Sequence, residues 1–426
     1  MRLVLSRVTV RALPLLLVLA ACRPTSDPAR IVARKVDPAA LKRDVAWLSA
    51  DAREGRRTGT PGNDSAAAFL ARRFEKLDLR PLQPGDAFLQ PFVAKASSRG
   101  GARELPTQNV AAMADGTDPA LRGEYIVLGA HFDHLGREST FATDPQAADA
   151  IRNGADDNAS GTAVMLELAR RFAKKPAKRS VIFVGFSGEE FGLLGSAYWV
   201  ANPPVPPAQM AAMLNFDMVG RLRDDKLIVY GVATAKELPA LVDSANTAAL
   251  RIAKVPDGEG PSDHSSFYQK KMPVLHFFSD THDDYHAATD DADKINAAGM
   301  VKVADLAERI ARRLADGPRL AFTEAPAATR VASRSSGSGV YLGSVPDMAA
   351  GEVKGMRLAS VRAGSPAELG GLKAGDVIVR FGGVEVTDLY TYTDALNAKK
   401  PGDVVEVIVD RGGQRVTLSI TLGKRG

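Results

Sequence analysis

Apolar and polar positions follow two rhythms along most of the chain. Between residues 37 and 316, short unbroken apolar runs take turns with longer stretches in which apolar residues recur every three or four positions. Runs of the first kind, such as Val181-Ile182-Phe183-Val184, predict strands buried on both faces. Stretches of the second kind predict amphipathic helices. Helices are expected over 37–48 (Leu41, Val45 and Leu48 on one face, Asp37-Pro38 as cap and first turn), 64–77, 158–172, 234–250 and 297–315. Strands are expected over 108–113, 124–130, 180–186, 211–216, 226–230 and 273–278. Their alternation predicts an α/β domain over residues 37–317, a mixed, largely parallel sheet flanked by helices.

Outside that range the texture changes. Residues 318–339 have no apolar period and are rich in Ala, Ser and Gly, which predicts a flexible linker. Residues 340–424 read as a compact, β-rich second domain. At the other end, residues 1–21 read as a leader: Arg2, Arg7 and Arg11 are followed by an apolar segment, Leu13 to Ala20, too short to span a bilayer comfortably. Residues 22–36 form a short tether.

Composition narrows the functional classes. A chain of 426 residues has room for two or three domains. The formal net charge is +5, and loss of the leader with its three arginines leaves 5 − 3 = +2. A nearly neutral mature chain argues against nucleic acid as a partner. Cys22 is the only cysteine, so neither a disulfide within the chain nor a thiolate metal site can form.

The candidate chemistry is concentrated. All six histidines fall within residues 131–286. Polar residues follow the apolar strands: His131-Phe132-Asp133-His134 after one, Ser187-Gly188-Glu189-Glu190 after another, Asp217 after a third, and a loop with His282 and His286 after a fourth. Asp156-Asp157-Asn158 stands just before a helix. Parallel strands point their carboxyl ends the same way, so these groups converge on one crevice. Two adjacent glutamates repel unless a cation or a shared proton compensates. Histidine and carboxylate without cysteine are a ligand set for catalytic zinc, with manganese or cobalt as substitutes.

The motifs HFDH, GADDNASG, SGEE, NFDMVG and YHAATDD, in that order, resemble the di-zinc aminopeptidase family of the bacterial leucyl aminopeptidase type. Glutamate carboxypeptidases and glutaminyl cyclases are relatives of that family. LKRDVAWLSADAREGRRTGTPG is similar to the family's N-terminal segment, so the resemblance covers residues 38–316. It implies two Zn²⁺ ions, with His131 and Glu190 on one metal, Asp217 and His286 on the other, and Asp157 bridging them. Glu189 would be the general base, and Asp133 would orient His131. Asp156 competes with Asp157 for the bridging role, and His282 with His286. Asp263 and His264 match a segment near the family's pocket and are expected to be structural or substrate-lining; His134 and His276 are expected to support the site or the core.

Tyr341-Leu342-Gly343 is similar to the carboxylate-binding loop of PDZ domains, and MRLASVRAGSPAELGGLKAGDVIVRFGGVEV to the core of that fold, with Leu389 to Ala398 as the groove helix. The resemblance implies a peptide ligand with a free C-terminus. Leu19-Ala20-Ala21-Cys22 resembles the lipobox of bacterial lipoproteins, which implies a lipidated Cys22, export and a membrane anchor, in the outer membrane of a cell that has one. The reading that follows is a metal-dependent exopeptidase, an aminopeptidase acting on peptides outside the cytoplasm. A carboxypeptidase or dipeptidase on the same site, a glutaminyl cyclase-like enzyme and a non-enzymatic peptide-binding protein are the alternatives.

Overall fold

A computed structural model describes residues 37–325 and 340–424, apart from positions 86, 99–100, 138–140, 145–146, 148, 347–352, 363, 388–390, 393–394 and 397. The expected leader, Cys22 and the tether lie outside the described residues, as do residues 326–339 of the expected linker. Among the described residues no helix is long and apolar enough to cross a membrane.

The first domain opens with α1 (Pro38–Leu48), capped by Asp37, whose carboxylate accepts from the Ala39 N–H at 3.0 Å. Helix α2 (Pro61–Lys76) follows, then β1 (Arg80–Pro81) and a long hairpin of β2 (Leu89–Ser98) and β3 (Gly101–Ala114). The alternation proper runs β4 (Tyr125–His131), α3 (Gly161–Lys174), β5 (Ser180–Phe186), α4 (Leu194–Ala201), β6 (Met210–Phe216), β7 (Lys226–Tyr230), α5 (Leu238–Ala245), β8 (Arg251–Val255), α6 (His264–Tyr268), β9 (Val274–Phe278) and α7 (Ala297–Asp316). These strands form one sheet in the order β1-β3-β5-β4-β6-β9-β7-β8, with β2 paired to β3. The central strands β5, β4, β6 and β9 are mutually parallel, and β3 and β7 flank them antiparallel, so the sheet is mixed around a parallel centre.

Alternation along each central strand places its side chains in two cores. Ile126, Leu128, Val181, Phe183 and Leu214 share a core with α1, α3 and α7. Val127, Ile182, Val184, Phe186 and Met213 pack on the other face with Trp199 of α4 and Phe267 of α6. Burial on both faces explains why these strands read as unbroken apolar runs.

Three expectations are corrected. The strand expected over 108–113 is the buried end of a hairpin that begins at Leu89; Pro91, Lys95, Arg103, Glu104 and Pro106 interrupt the apolar pattern of its outer part. The helix expected over 234–250 is regular only over Leu238–Ala245, and the edge strand β8 follows, its Arg251 and Lys254 exposed to solvent. The linker expected from Pro318 is anchored at its start. Arg319 donates to the Met210 carbonyl at 2.9 Å, the Thr323 N–H to Thr234 O at 2.9 Å, and the Ala325 N–H to the Tyr268 hydroxyl at 3.0 Å.

The second domain has its own core of Leu342, Met356, Leu358, Ile378, Phe381, Val407, Val409 and Ile420. Its elements are β10 (Val340–Tyr341), β11 (Ser344–Pro346), β12 (Met356–Val361), α8 (Pro366–Leu369), β13 (Val377–Phe381), β14 (Val384–Glu385), β15 (Val404–Arg411), β16 (Gln414–Thr421) and β17 (Gly423–Lys424). The sheet runs β11-β12-β13-β15-β16, with β14 on β13, while β10 and β17 pair separately. Ser365 caps α8 by accepting from the Glu368 N–H at 3.2 Å. Of the expected groove helix, positions 389–390, 393–394 and 397 lie outside the described residues, and positions 391–392 and 395–396 are helical.

Candidate metal centre and active site

Three parallel strands deliver polar residues to the same edge of the sheet. His131 is the last residue of β4, and Asp217 directly follows β6. Beyond β5 the chain turns at Gly188, whose φ of +84° suits glycine, and presents Glu189 and Glu190. The loop after β9 brings His282 and His286 over that edge, and the irregular turn Ala155–Ser160 ahead of α3 brings Asp156 and Asp157.

Two groups of side chains that could hold a metal stand side by side among the described residues, His131, Asp157 and Asp217 in one and His134, Asp157 and Glu190 in the other. In the first, His131 Nε2 lies 3.3 Å from Asp157 Oδ1 and 3.3 Å from Asp217 Oδ1. Beside the second, His286 Nε2 lies 3.1 Å from Asp157 Oδ2 and 3.1 Å from Glu190 Oε2. Asp157 thus turns one oxygen to each group. The structure regroups the expected ligands: His131 stands with Asp217, and Glu190 with His286. The reason is positional. β6 pairs with β4, so Asp217 emerges beside His131, whereas the turn at Ser187-Gly188 carries Glu190 away toward the 282–286 loop. His134, expected as a supporting residue, places Nδ1 2.6 Å from the other oxygen of Glu190.

The donor set fits metal ions. Around a tetrahedral zinc with bonds of about 2.0–2.1 Å, neighbouring ligand atoms are about 3.3 Å apart, which is the spacing of His131 from Asp157 and Asp217 and close to the 3.1 Å of His286 from Asp157 and Glu190. Four buried or nearly buried carboxylates, Asp157, Glu189, Glu190 and Asp217, surround three imidazoles, a surplus of negative charge that calls for cations. Both histidines present Nε2 because the other nitrogen is engaged: Nδ1 of His286 donates to the Phe141 carbonyl at 2.9 Å, and that of His131 to the Asp133 carbonyl at 3.3 Å. Tyr285 stacks on His286 with ring centroids 3.9 Å apart.

Glu189 belongs to neither group; its Oε2 lies 4.0 Å from His131 Nε2. Burial, with Glu190 and Asp217 beside it, holds its carboxyl well above the usual carboxylate range against the opposing pull of His131. Asp157 goes the other way: burial raises it, but His134, His131 and His286 together hold it well below that range. Asp133 fixes the geometry around Glu189. Its carboxylate accepts from the Glu189 N–H at 3.2 Å and from the Thr58 hydroxyl at 2.9 Å, and it lies 3.7 Å from His131 Nδ1, so the nearer brace on that imidazole is the main-chain carbonyl. Asp156 and His282 pair with each other at 3.0 Å. Asp263 is fully buried close to the same cluster, where burial, with Asp217 and Asp133 adding to it, pushes its carboxyl up to about 7 despite His131. His264 lies flat on His276, centroids 4.3 Å apart.

Two organising residues escaped the sequence reading. Arg56 is fully buried and donates to four carbonyls: Phe132 at 2.7 Å, Leu48 at 2.9 Å, Asn153 at 2.7 Å and Gly154 at 2.9 Å. It ties the N-terminal segment to the loops that carry His131 and Asp157. Asp290, also fully buried, accepts from the N–H groups of Asp156 at 2.9 Å and Asp157 at 3.1 Å. Only the quoted segments EGRRTG and YHAATDD hinted at them.

A sheet with parallel centre strands that converge on paired His–carboxylate groups, and one buried glutamate left over, defines the class of metal-dependent hydrolases. Residues 109–311 match the family model described as Peptidase family M28, and residues 335–422 that of the PDZ domain. Among curated proteins it is similar to aminopeptidase YwaD of Bacillus subtilis, with 29% identity over 36% of each chain. The chain spans about a third of the length of the curated relatives it matches first, 32%, 34% and 36%. Among solved structures, a Zn-dependent exopeptidase from Parabacteroides distasonis superposes with a TM-score of 0.54 at 18% identity, over 65% of this chain and 98% of the other. The glutaminyl cyclase of Porphyromonas gingivalis does so with a TM-score of 0.54 at 21% identity, over 64% and 97%. These likenesses establish the fold.

Proposed function

We propose that the protein is a zinc-dependent aminopeptidase with a two-ion centre, which removes residues from the free N-terminus of peptides. The observation that carries this reading is Asp157, whose two oxygens face two separate His–carboxylate groups while Glu189 stands outside both. His131 and Asp217 would hold one ion, His286 and Glu190 the other, with Asp157 between them. The ions supply polarisation of the scissile carbonyl and acidification of the attacking water. The chain's own groups do the rest. Glu189 takes the water's proton at its carboxylate and delivers it to the departing amine. Asp133 and Thr58 keep Glu189 and His131 in register, and Arg56 and Asp290 hold the two ligand-bearing loops.

The same proposal gives the PDZ domain a peptide C-terminus as ligand. It also places the mature protein outside the cytoplasm on a lipidated Cys22, on the strength of the leader and lipobox-like segment.

The test uses protein that begins after Cys22 and a panel of short peptides with free or acetylated N-termini, before and after chelation and zinc restoration. Cleavage confined to free-amine peptides, lost on chelation and regained with zinc, is the expected result. Zinc-dependent release from the C-terminal end of acetylated peptides would replace this reading with carboxypeptidase. Cyclisation of N-terminal glutamine without hydrolysis would replace it with glutaminyl cyclase.

A further inference from the structure

The PDZ domain touches the peptidase domain on the loop between β8 and α6. Ser360, in the second-last position of β12, donates its hydroxyl to Glu259 at 2.6 Å, and the guanidinium of Arg362 lies 3.1 Å from the carboxylate of Asp257. Asp257 is 5% exposed, so this pair is screened less than a surface ion pair. Asp257 is held from its own side as well. It accepts from the Glu259 N–H at 2.9 Å, and its carbonyl accepts from the Gly231 N–H at 2.7 Å.

From this contact the loop leads to the metal cluster through short, buried links. The Gly260 N–H donates to the Ser265 hydroxyl oxygen at 2.7 Å, and a Cβ added at Gly260 would lie 2.8 Å from the His264 ring. Ser262 accepts from the Asn215 amide at 2.8 Å, two positions ahead of the ligand Asp217 on the same stretch of chain. His264 rests on His276, and that ring in turn meets the Asn215 amide at 3.2 Å. Asp263 sits between Ser262 and His264, buried beside the cluster. The loop is thus pinned at one end by the PDZ domain and at the other by the strand that carries Asp217.

We propose that Arg362 and Ser360 are positioning residues of the peptidase site: by binding Asp257 and Glu259 from the second domain, they hold the loop that seats Asp263 and His264 against the metal cluster. Substrate affinity then depends on a domain that contributes no group to the chemistry. The proposal rests on the peptidase reading for its kinetic consequence, and on geometry alone for the docking.

The experiment compares the wild-type protein with Arg362→Ala, Arg362→Lys and Ser360→Ala, all as the chain from residue 23. It reads kcat and KM on a short free-amine substrate, zinc content, and hydrogen exchange of residues 256–264 and 210–216. In Arg362→Ala, KM is expected to rise about fivefold, the scale of one partly buried ion pair, with kcat within about twofold and zinc content unchanged. Exchange should quicken in 256–264 and stay the same in 210–216. Arg362→Lys keeps the charge and should recover part of the loss; Ser360→Ala should shift KM in the same direction by less. Unchanged KM and exchange in Arg362→Ala would overturn the proposal. So would a Lys variant as impaired as the Ala variant, or faster exchange in both segments, since either signals general damage. A wild-type protein that cleaves no peptide would defeat the peptidase reading alone; the exchange comparison would still decide the docking.

Discussion

At Glu189 and Glu190, adjacent residues of the same type do different work because the chain turns between β5 and α4. Glu190 meets His134 and His286, whose charges hold its carboxyl down to about 2 against burial, whereas burial, with Glu190 and Asp217 beside it, holds Glu189 high against the pull of His131. That difference suits the proposed division into a ligand, Glu190, and a base, Glu189. Glu189→Gln is expected to lower kcat by about 10²–10⁴ while bound zinc stays unchanged, measured by steady-state kinetics beside metal analysis. Asp290 touches no ligand side chain, yet it fixes the main chain at Asp157. Asp290→Ala should weaken zinc binding about 10–100-fold in a chelator competition titration. The pattern of strand ends exposes Glu189, His131 and Asp217, because each follows an apolar run. It does not expose Arg56 or Asp290, whose partners are main-chain groups far away in sequence; a buried arginine aimed at carbonyls leaves no periodic trace.

Among the elements, those with both faces buried were the legible ones. β5 and β7 lie where the apolar runs put them, and α7 ends within a residue of its expected limit. The β2–β3 ribbon and the edge strand β8 carry charged side chains into solvent and lack that signature. Contacts between elements follow a further logic. Helices α3 and α7 are clasped by Glu308, which accepts from Arg171 at 2.5 Å and from Arg312 at 2.8 Å. Burial alone would raise this carboxyl, but the hydrogen bonds and charges of the two arginines prevail and lower it. A lowered value in the folded state means stability that is present above the usual glutamate range and lost as pH falls through the folded value. Glu308→Gln should therefore destabilise the protein at neutral pH in denaturant titrations. The gap from wild type should narrow as the pH falls below the usual carboxylate range.

For the whole molecule, two domains with no hydrophobic core in common predict two unfolding transitions in calorimetry. Only the peptidase transition should respond to chelation, falling by about 10 °C for zinc previously held at about a thousand times its dissociation constant. A chelation response shared equally by both transitions would mean that the cores unfold as one. The alternation of the central strands with helices, the shared side on which those strands end and the cluster of histidine and carboxylate there were determined by the sequence alone. Alternation and apolar runs are local properties, and parallel strands have their ends on one side whatever their order. Which ligands stand together was decided only by the tertiary structure: it depends on β6 lying beside β4 and on how far the turn after β5 carries Glu190. The anchored start of the linker and the contact of Arg362 with Asp257 were decided there too. They join residues 57 to 109 positions apart through a few polar contacts, which no local pattern encodes.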